Sequence, residues 1–498
     1  MKNNFAPVNQ IPGAILSLIP NYWERRGVVA DKDLITLTHV CHGWRELYVF
    51  HPSLWTRLDF TNVDKTRTYI KRSRSSPLGV VLYKCKGESY LEDAFLLAVP
   101  HFRRLKSLTI SGTLDPLQNL SKHFPPPIHV LRELTISLAC KPAPILDSLL
   151  FDWDLSSLRT LRLGGIITRL PWKNLWNLTT FELAWAPDNT ITVARLLNFL
   201  ESALHLRDIT LCHSIPTSSD APPGRVTPLP HLRKLSVFAD PVHSILLNHL
   251  SIPPGASLVL GFNFSGDKSP FSDCLPKSAR NLKNIFQITT VNLRFDRVEK
   301  SVRLAGPSGE LYIFGRWEGD AKMTPSLDLD RRILQSLDYF SLHLTRRLAI
   351  TKYEPPTLTE INTSPPYHVF LRMKDLHTLT LTRCNNLPFI LALNPNHNPS
   401  KLTPCPNLEE LVLYVETRNA FNIPELVCMA KERALRGSKL RSITIVGLGE
   451  LMPGKEVLRL REYVAQVEYR FEGESPEWDD IIDRSVGRMV QWVPSTLL

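Results

Sequence analysis

The chain has 498 residues, more than the roughly 100–200 of a single domain, so a compound or repetitive architecture is expected. Its 43% hydrophobic and 21% charged residues exclude a disordered chain, and no run approaches the ~18 apolar residues of a membrane span. The net charge of +11 raises nucleic acid as a partner, but the distribution of that charge weighs against it.

Proline, at 39 residues, is well above the average of about 5%, which predicts many short elements separated by turns. The residues up to Pro12 hold no apolar run fit for a signal peptide. Eight scattered cysteines without a CxxC pair read as reduced thiols. A cytoplasmic or nuclear location is therefore expected, with no membrane partner.

In chain order, "IPGAILSLIP" (11–20) places a proline near a helix start and puts Ile11, Ile15, Leu16 and Ile19 on a common side. Leu34, Leu37, Val40, Cys41, Trp44 and Leu47 then follow helical spacing, with Asp33 as a cap. Pro52 interrupts this run, and Leu54, Trp55 and Leu58 continue the apolar series. Residues 11–58 read as three or four short helices. A unit of fewer than ~50 residues barely stabilises its own core, so it should leave apolar surface for a partner. His39, Cys41 and His42 are metal-ligand types, but they crowd four helix positions and do not supply the four spaced ligands of structural zinc. No metal or other cofactor is expected.

Residues 65–106 hold ten Lys/Arg against three Asp/Glu, a net +7. The segment lacks the interleaved aromatics of a base-stacking platform, and "DKTRTYIKRSRSS" reads as a helix capped by Asp64 with a solvated basic face. A nucleic-acid partner is not expected.

From Leu105 onward a pattern L-x-x-L-x-L, allowing Ile, Val or Phe, recurs in full ten times. The copies start at Leu105, Leu131, Leu158, Leu178, Leu206, Leu232, Ile288, Leu376, Leu408 and Leu440. The first six starts are separated by 26, 27, 20, 28 and 26 residues, and the last three by 32 and 32. Partial copies lie at Leu258, Leu311 and Leu348, and upstream at Trp55 and Val80. The alternation closing each copy is that of a strand with one buried face. Between strands lie stretches long enough for a helix, such as "ITVARLLNFLESAL" (191–204). One short strand cannot bury its own face, whereas stacked copies build a continuous core. The pattern resembles the leucine-rich repeat, and "LHTLTLTRCNNL", with Leu376, Leu379, Leu381, Cys384 and Leu387, matches its cysteine-containing form. The fold class implied is α/β, an irregular solenoid on a curved parallel sheet.

Residues between the inward leucines face outward along the concave side. Thr109, Thr135, Arg162, Glu182, Thr210, Ser236, Phe238, Thr380, Val412, Tyr414 and Thr444 are the candidate substrate-binding positions. Hydroxyls, both charge signs and two aromatics suit a protein partner better than a polyanion.

Near the C-terminus, Gly449, Gly454 and Lys455 fit the phosphate-binding pattern GxxxxGK between a strand-like and a helix-like run. Glu456 stands where that loop needs Ser or Thr, and its carboxylate would repel phosphate. No G-x-S-x-G, HExxH or GxGxxG after a strand is found, so no catalysis is expected. "VEYRFEGESPEWDDI" reads as a cap on the last repeat.

The opening helices carry a family resemblance. Ile11-Pro12, Ile15-Leu16, Leu34, Leu37, Val40-Cys41, Trp44-Arg45, Leu47, Pro52 and Leu54-Trp55 resemble an F-box, most specifically in "VCHGWREL" and "PSLW". The continuation to residue 82 is similar to fungal F-box proteins. Ala14 and Pro20 depart from the acidic residue and phenylalanine common at those places. The resemblance implies a module over 1–60 that docks a Skp-family adaptor of a cullin–RING ubiquitin ligase through Ile11, Pro12, Ile15, Leu16, Leu34, Leu37, Val40, Cys41, Trp44 and Leu54. Repeats over 61–448 would hold an unknown protein substrate, with 449–498 as a terminal segment. The alternatives are a repeat scaffold whose F-box no longer engages the ligase, and a nucleotide-binding enzyme using residues 449–456.

Overall fold

A computed structural model describes residues 11–16, 31–83, 90–112, 128–138, 155–166, 174–184, 191–213, 220–238, 243–264, 271–296, 299–317, 333–334, 336–352, 367–382, 386–397, 402–415, 423–447 and 455–471. The chain is mixed α/β and divides into two compact units, Met1–Thr190 and Ile191–Thr496. Residues 11–60 and the first repeats thus share one unit.

The described residues of the first unit form six strands: β1 (Arg57–Leu58), β2 (Leu78–Tyr83), β3 (Leu105–Gly112), β4 (Glu133–Leu138), β5 (Thr160–Gly164) and β6 (Thr180–Ala184). They pair in chain order, all parallel. Their inward residues fall in register: Leu108, Leu134, Leu161 and Phe181 form one row, and Ile110, Ile136, Leu163 and Leu183 the next. All eight are buried. Every repeat copy predicted in this stretch is a strand.

Before β1 come α1 (Gly13–Leu16), α2 (Asp31–His39) and α3 (His42–Val49); α4 (Val63–Ser73) lies between β1 and β2, and α5 (Tyr90–Ala98) between β2 and β3. The single helical stripe predicted from Leu34 to Leu47 is broken in two. Cys41 is extended (φ −158°, ψ 172°) and caps α3, which resets the helical phase and leaves Val40 and Cys41 exposed. Asp33 lies inside α2 rather than at its cap. The cap of α4 is Asn62, whose side chain accepts the Lys65 N–H at 3.0 Å, and Asp64 sits in the first turn, where its charge complements the helix dipole.

Trp55 ties these helices to the ladder. Its indole donates to the Tyr48 carbonyl at 2.9 Å, its ring meets Tyr69 of α4 edge-on at 5.0 Å, and the Arg72 guanidinium lies 4.3 Å above it. Below, Phe60, Phe95 and Phe102 form an edge-to-face series at 5.5 and 5.3 Å. Phe60 is held at φ 55°, an unfavourable backbone region for a bulky residue that its complete burial enforces.

The described residues of the second unit form eleven strands in one open, mostly parallel ladder. They are β7 (Asp208–Cys212), β9 (Lys234–Phe238), β11 (Ser257–Phe264), β12 (Thr290–Phe295), β13 (Glu299–Gly306), β14 (Gly309–Trp317), β15 (Arg347–Lys352), β16 (Thr378–Thr382), β17 (Glu410–Val415), β18 (Ser442–Gly447) and β19 (Gln466–Phe471). A separate pair joins β8 (Thr227–Pro228) to β10 (Leu250–Ser251). The spatial order is 7-9-11-14-13-12-15-16-17-18-19, with β13 antiparallel to both neighbours. The meander β12–β13–β14 was not predicted. Its tight turn needs glycine twice: Gly309 sits at φ 122°, and a Cβ on Gly306 would fall 1.7 Å from the Gln287 carbonyl oxygen. The ladder also runs past residue 448, because β19 pairs with β18 inside the predicted terminal segment.

Helices return the chain between strands. α6 (Val193–Ser202) fills the predicted 191–204 stretch, with Thr192 accepting the Arg195 N–H at 3.3 Å as its cap. α7 (His243–Leu247), α8 (Tyr367–Arg372), α9 (Leu387–Leu393), α10 (Ile423–Leu435) and α11 (Lys455–Tyr463) follow. On α10, fully buried Arg433 donates to the carbonyls of Pro404 (2.7 Å) and Cys405 (2.8 Å), and burial pulls its pKa down to about 10. Cys384 of the best-matching repeat lies outside the described residues.

Because Trp55 is buried and hydrogen-bonded while Phe50 is exposed, Trp55→Ala should cost about 3–5 kcal/mol of stability and Phe50→Ala less than ~0.5 kcal/mol. Urea unfolding of the two variants checks this.

Candidate partner-binding surfaces

In the N-terminal module, α1 and α3 are joined by the Tyr48 hydroxyl, which donates to the Leu16 carbonyl at 2.8 Å. Burial pushes the Tyr48 phenol above its ordinary pKa, keeping it a donor. The Arg45 guanidinium donates to the Thr38 carbonyl at 3.0 Å and joins α3 to the end of α2. Trp44 packs edge-on against Tyr48 at 5.6 Å, and its buried indole N–H has no hydrogen-bond partner among the described residues.

The ten predicted adaptor-binding residues separate into three groups. Ile11, Pro12, Ile15, Val40 and Cys41 are exposed; Trp44 and Leu54 are half-buried; Leu16, Leu34 and Leu37 are buried. The last three hold the helices together and do not present their side chains to a partner. Two apolar residues that the periodicity reading missed are exposed instead, Ile35 (45%) and Phe50 (63%), beside Ile15 (54%) and Val40 (52%). Ile35 was legible in principle: an apolar residue one place off the Leu34/Leu37 stripe must leave the buried face.

The outward sheet positions behave less uniformly than alternation implies. Thr109, Arg162, Glu182, Thr210, Thr380, Val412, Tyr414 and Thr444 are half-buried. Thr135 and Ser236 are buried, so they are corrected from surface to interior, and the Ser236 hydroxyl has no hydrogen-bond partner among the described residues. Arg162 and Glu182 face each other on β5 and β6 and form an ion pair at 3.0 Å. Thr380, Val412 and Thr444 stand side by side across β16, β17 and β18.

Phe238 does not stand alone. Its ring meets Phe314 at 5.9 Å, Phe314 stacks on Tyr312 at 5.2 Å, and Gly261 forms the floor between Phe238 and Phe314. A Cβ at Gly261 would lie 2.7 Å from both rings. Beside this cluster, Glu310 accepts from Ser257 (2.7 Å) and Arg303 (2.9 Å). Burial alone would raise the Glu310 carboxyl; these hydrogen bonds and the charges of Arg303 and Lys234 outweigh it and hold the group below its usual range. Burial and the nearby Glu299 carboxylate push the Tyr312 phenol up to about 12. The arrangement is a satisfied polar network around stacked rings. It supplies shape and fixed dipoles, and burial pushes the nearby Cys212 thiol up to about 11.

The loop holding Gly449 and Gly454 lies outside the described residues, and Lys455 begins α11. Among the described residues no group of three or more His, Cys, Asp and Glu side chains is arranged to hold a metal, and no helix is long and apolar enough to cross a membrane. No protein-family model matches the chain, and no curated protein matches it.

Two outcomes follow. Gly261→Ala should cost about 1–3 kcal/mol by forcing the two rings apart, and Phe238→Ala should cost a similar amount, while Thr380→Ala stays within ~0.5 kcal/mol. Thermal unfolding separates them. The Glu310 interactions contribute stability above the carboxyl's unfolded pKa of about 4.3, and that contribution is lost as pH falls through its lower folded value. Glu310→Gln should therefore flatten the acid limb of the stability–pH curve.

Proposed function

We propose that the chain is a substrate-recognition subunit of a Skp–cullin–F-box ubiquitin ligase. In this reading the short helices over residues 11–58 are an F-box that docks a Skp-family adaptor. The in-register strands form an irregular leucine-rich-repeat solenoid, and its outward face holds a protein substrate. The chain recognises; the chemistry of ubiquitin transfer belongs to the rest of the ligase. The cytoplasm or nucleus is the corresponding location.

The observation that carries this reading is the apolar exposure of a small helical module. Ile15, Ile35, Val40 and Phe50 face outward on helices whose own core is already filled by Leu16, Leu34, Leu37 and Tyr48. Apolar side chains left over after the core is complete support a protein partner. The outward face around β16–β18, with Thr380, Val412, Tyr414 and Thr444, supports the substrate role by its mixed polarity.

The test is co-precipitation of purified adaptor with the full chain. Ile15→Asp combined with Val40→Asp should weaken capture by about tenfold or more without lowering the melting temperature, since both residues are exposed. Leu37→Asp is unsuitable because it breaks the core. If the unaltered chain captures no adaptor, the reading as a ligase subunit falls and the scaffold reading replaces it. Equal capture by the double variant removes the helical module as the docking site.

A further inference from the structure

Each repeat copy has one position that neither the core nor the outward face dictates, the residue directly after its first leucine. Six of the ten full copies place Lys or Arg there, a bias that packing does not require. In the first unit these are Lys106, Arg132 and Arg159, all exposed. They are neighbours in the ladder: the Arg132 N–H donates to the Lys106 carbonyl at 2.8 Å, and the Arg159 N–H donates to the Arg132 carbonyl at 2.8 Å. Neighbouring strands stand ~4.8 Å apart, so the three cations make a straight row along the edge where the strands begin.

The row has defined ends. Beyond Arg159 comes Thr179, whose N–H and hydroxyl both donate to the Arg159 carbonyl. Before Lys106 an irregularity at Leu78/Gly79 shifts β2 out of step. Exposed Arg103, on the turn leading into β3, adds a fourth charge at that end.

No hydrogen bond or ion pair engages the side chains of Lys106, Arg132 or Arg159 among the described residues. Glu133 follows Arg132 and opens β4, but no ion pair joins the two among the described residues. Like charges on adjacent strands repel, so the fold gains nothing from the row. The local field is positive enough to act on His101, which burial first, and then Arg104 and Arg103, hold below the ordinary imidazole range.

We propose that the Lys106–Arg132–Arg159 row docks an acidic polypeptide segment, a run of consecutive Asp and Glu residues on a partner protein. With Arg103 the row spans roughly 14 Å, the length of about four extended residues. Charge complementarity selects the anion, and the shortness of the row selects peptide over nucleic acid. Three or four phosphate contacts give only weak, salt-sensitive binding. Single-stranded binders add a series of stacking rings, whereas the described residues 155–184 of this unit hold one exposed large aromatic ring, Trp176. The proposal is independent of adaptor docking, which uses different residues.

Fluorescence anisotropy of a labelled hexaglutamate peptide with the full chain tests it, with oligothymidine as competitor. The peptide should bind with an affinity that falls as salt rises. Lys106→Glu, Arg132→Glu and Arg159→Glu together should weaken it by about tenfold or more, while reversal of the exposed Lys277, Arg280 and Lys283 should not. Alanine at the same three positions should give a loss in the same direction if charge reversal disturbs melting. No binding of hexaglutamate by the unaltered chain, or equal binding by the triple variants, overturns the proposal. Tighter binding of oligothymidine than of the peptide overturns it in favour of a nucleic-acid contact.

Discussion

Within each unit, everything rests on two inward apolar side chains per strand falling into line with the next two. In the first unit the rows run Leu108–Leu134–Leu161–Phe181 and Ile110–Ile136–Leu163–Leu183. In the second, Ile209–Leu235–Leu258–Leu311 and Val291–Leu348–Leu379–Leu411–Ile443–Val467 do the same work. A slip of one residue would turn every leucine of a strand outward and every threonine inward, so the register is strongly specified. The backbone ladder follows from this alignment, since a five-residue strand has too few hydrogen bonds to hold itself.

That constraint acts only on the strand and leaves the return path free. Copies are therefore spaced 20, 26, 28 or 32 residues apart without disturbing the rows. The connection holds α6 in one place and the 13-residue α10 in another. It also tolerates the β12–β14 meander, in which β13 runs backwards yet keeps Val302 and Leu304 in the same apolar rows as Leu293 and Val291. Direction is expendable; the inward pair is not.

Strands were legible for this reason. All ten full copies and the partial copies at Val80, Leu258, Leu311 and Leu348 are strands, because a period of two is a direct consequence of burial on one side. The antiparallel β13 was hidden because its apolar alternation, Val302 and Leu304, lacks the first leucine of the motif. The helical module was legible in existence but not in phase. Apolar spacing from Leu34 to Leu47 fits one helix almost as well as two, and only the extended backbone of Cys41 decides between them. Caps were misread for a related reason: Asn62 and Asp64 are both good capping types, and the choice depends on where the preceding chain turns.

The outward face shows where reading by alternation stops. Alternation says which way a side chain points, not what meets it there. Phe238 points outward and still finds Phe314 across Gly261, a glycine whose missing side chain is the space the rings occupy. Ser236 points outward and is completely buried. Leu37 obeys the helical period of a binding helix and spends it on the core. In a fold whose packing uses every in-register apolar residue, a residue type says most about function where packing makes no demand on it. Exposed Val40, released by the break at Cys41, is such a place; so is the cation after the first leucine of a repeat, which lies at the edge of the sheet where the core ends.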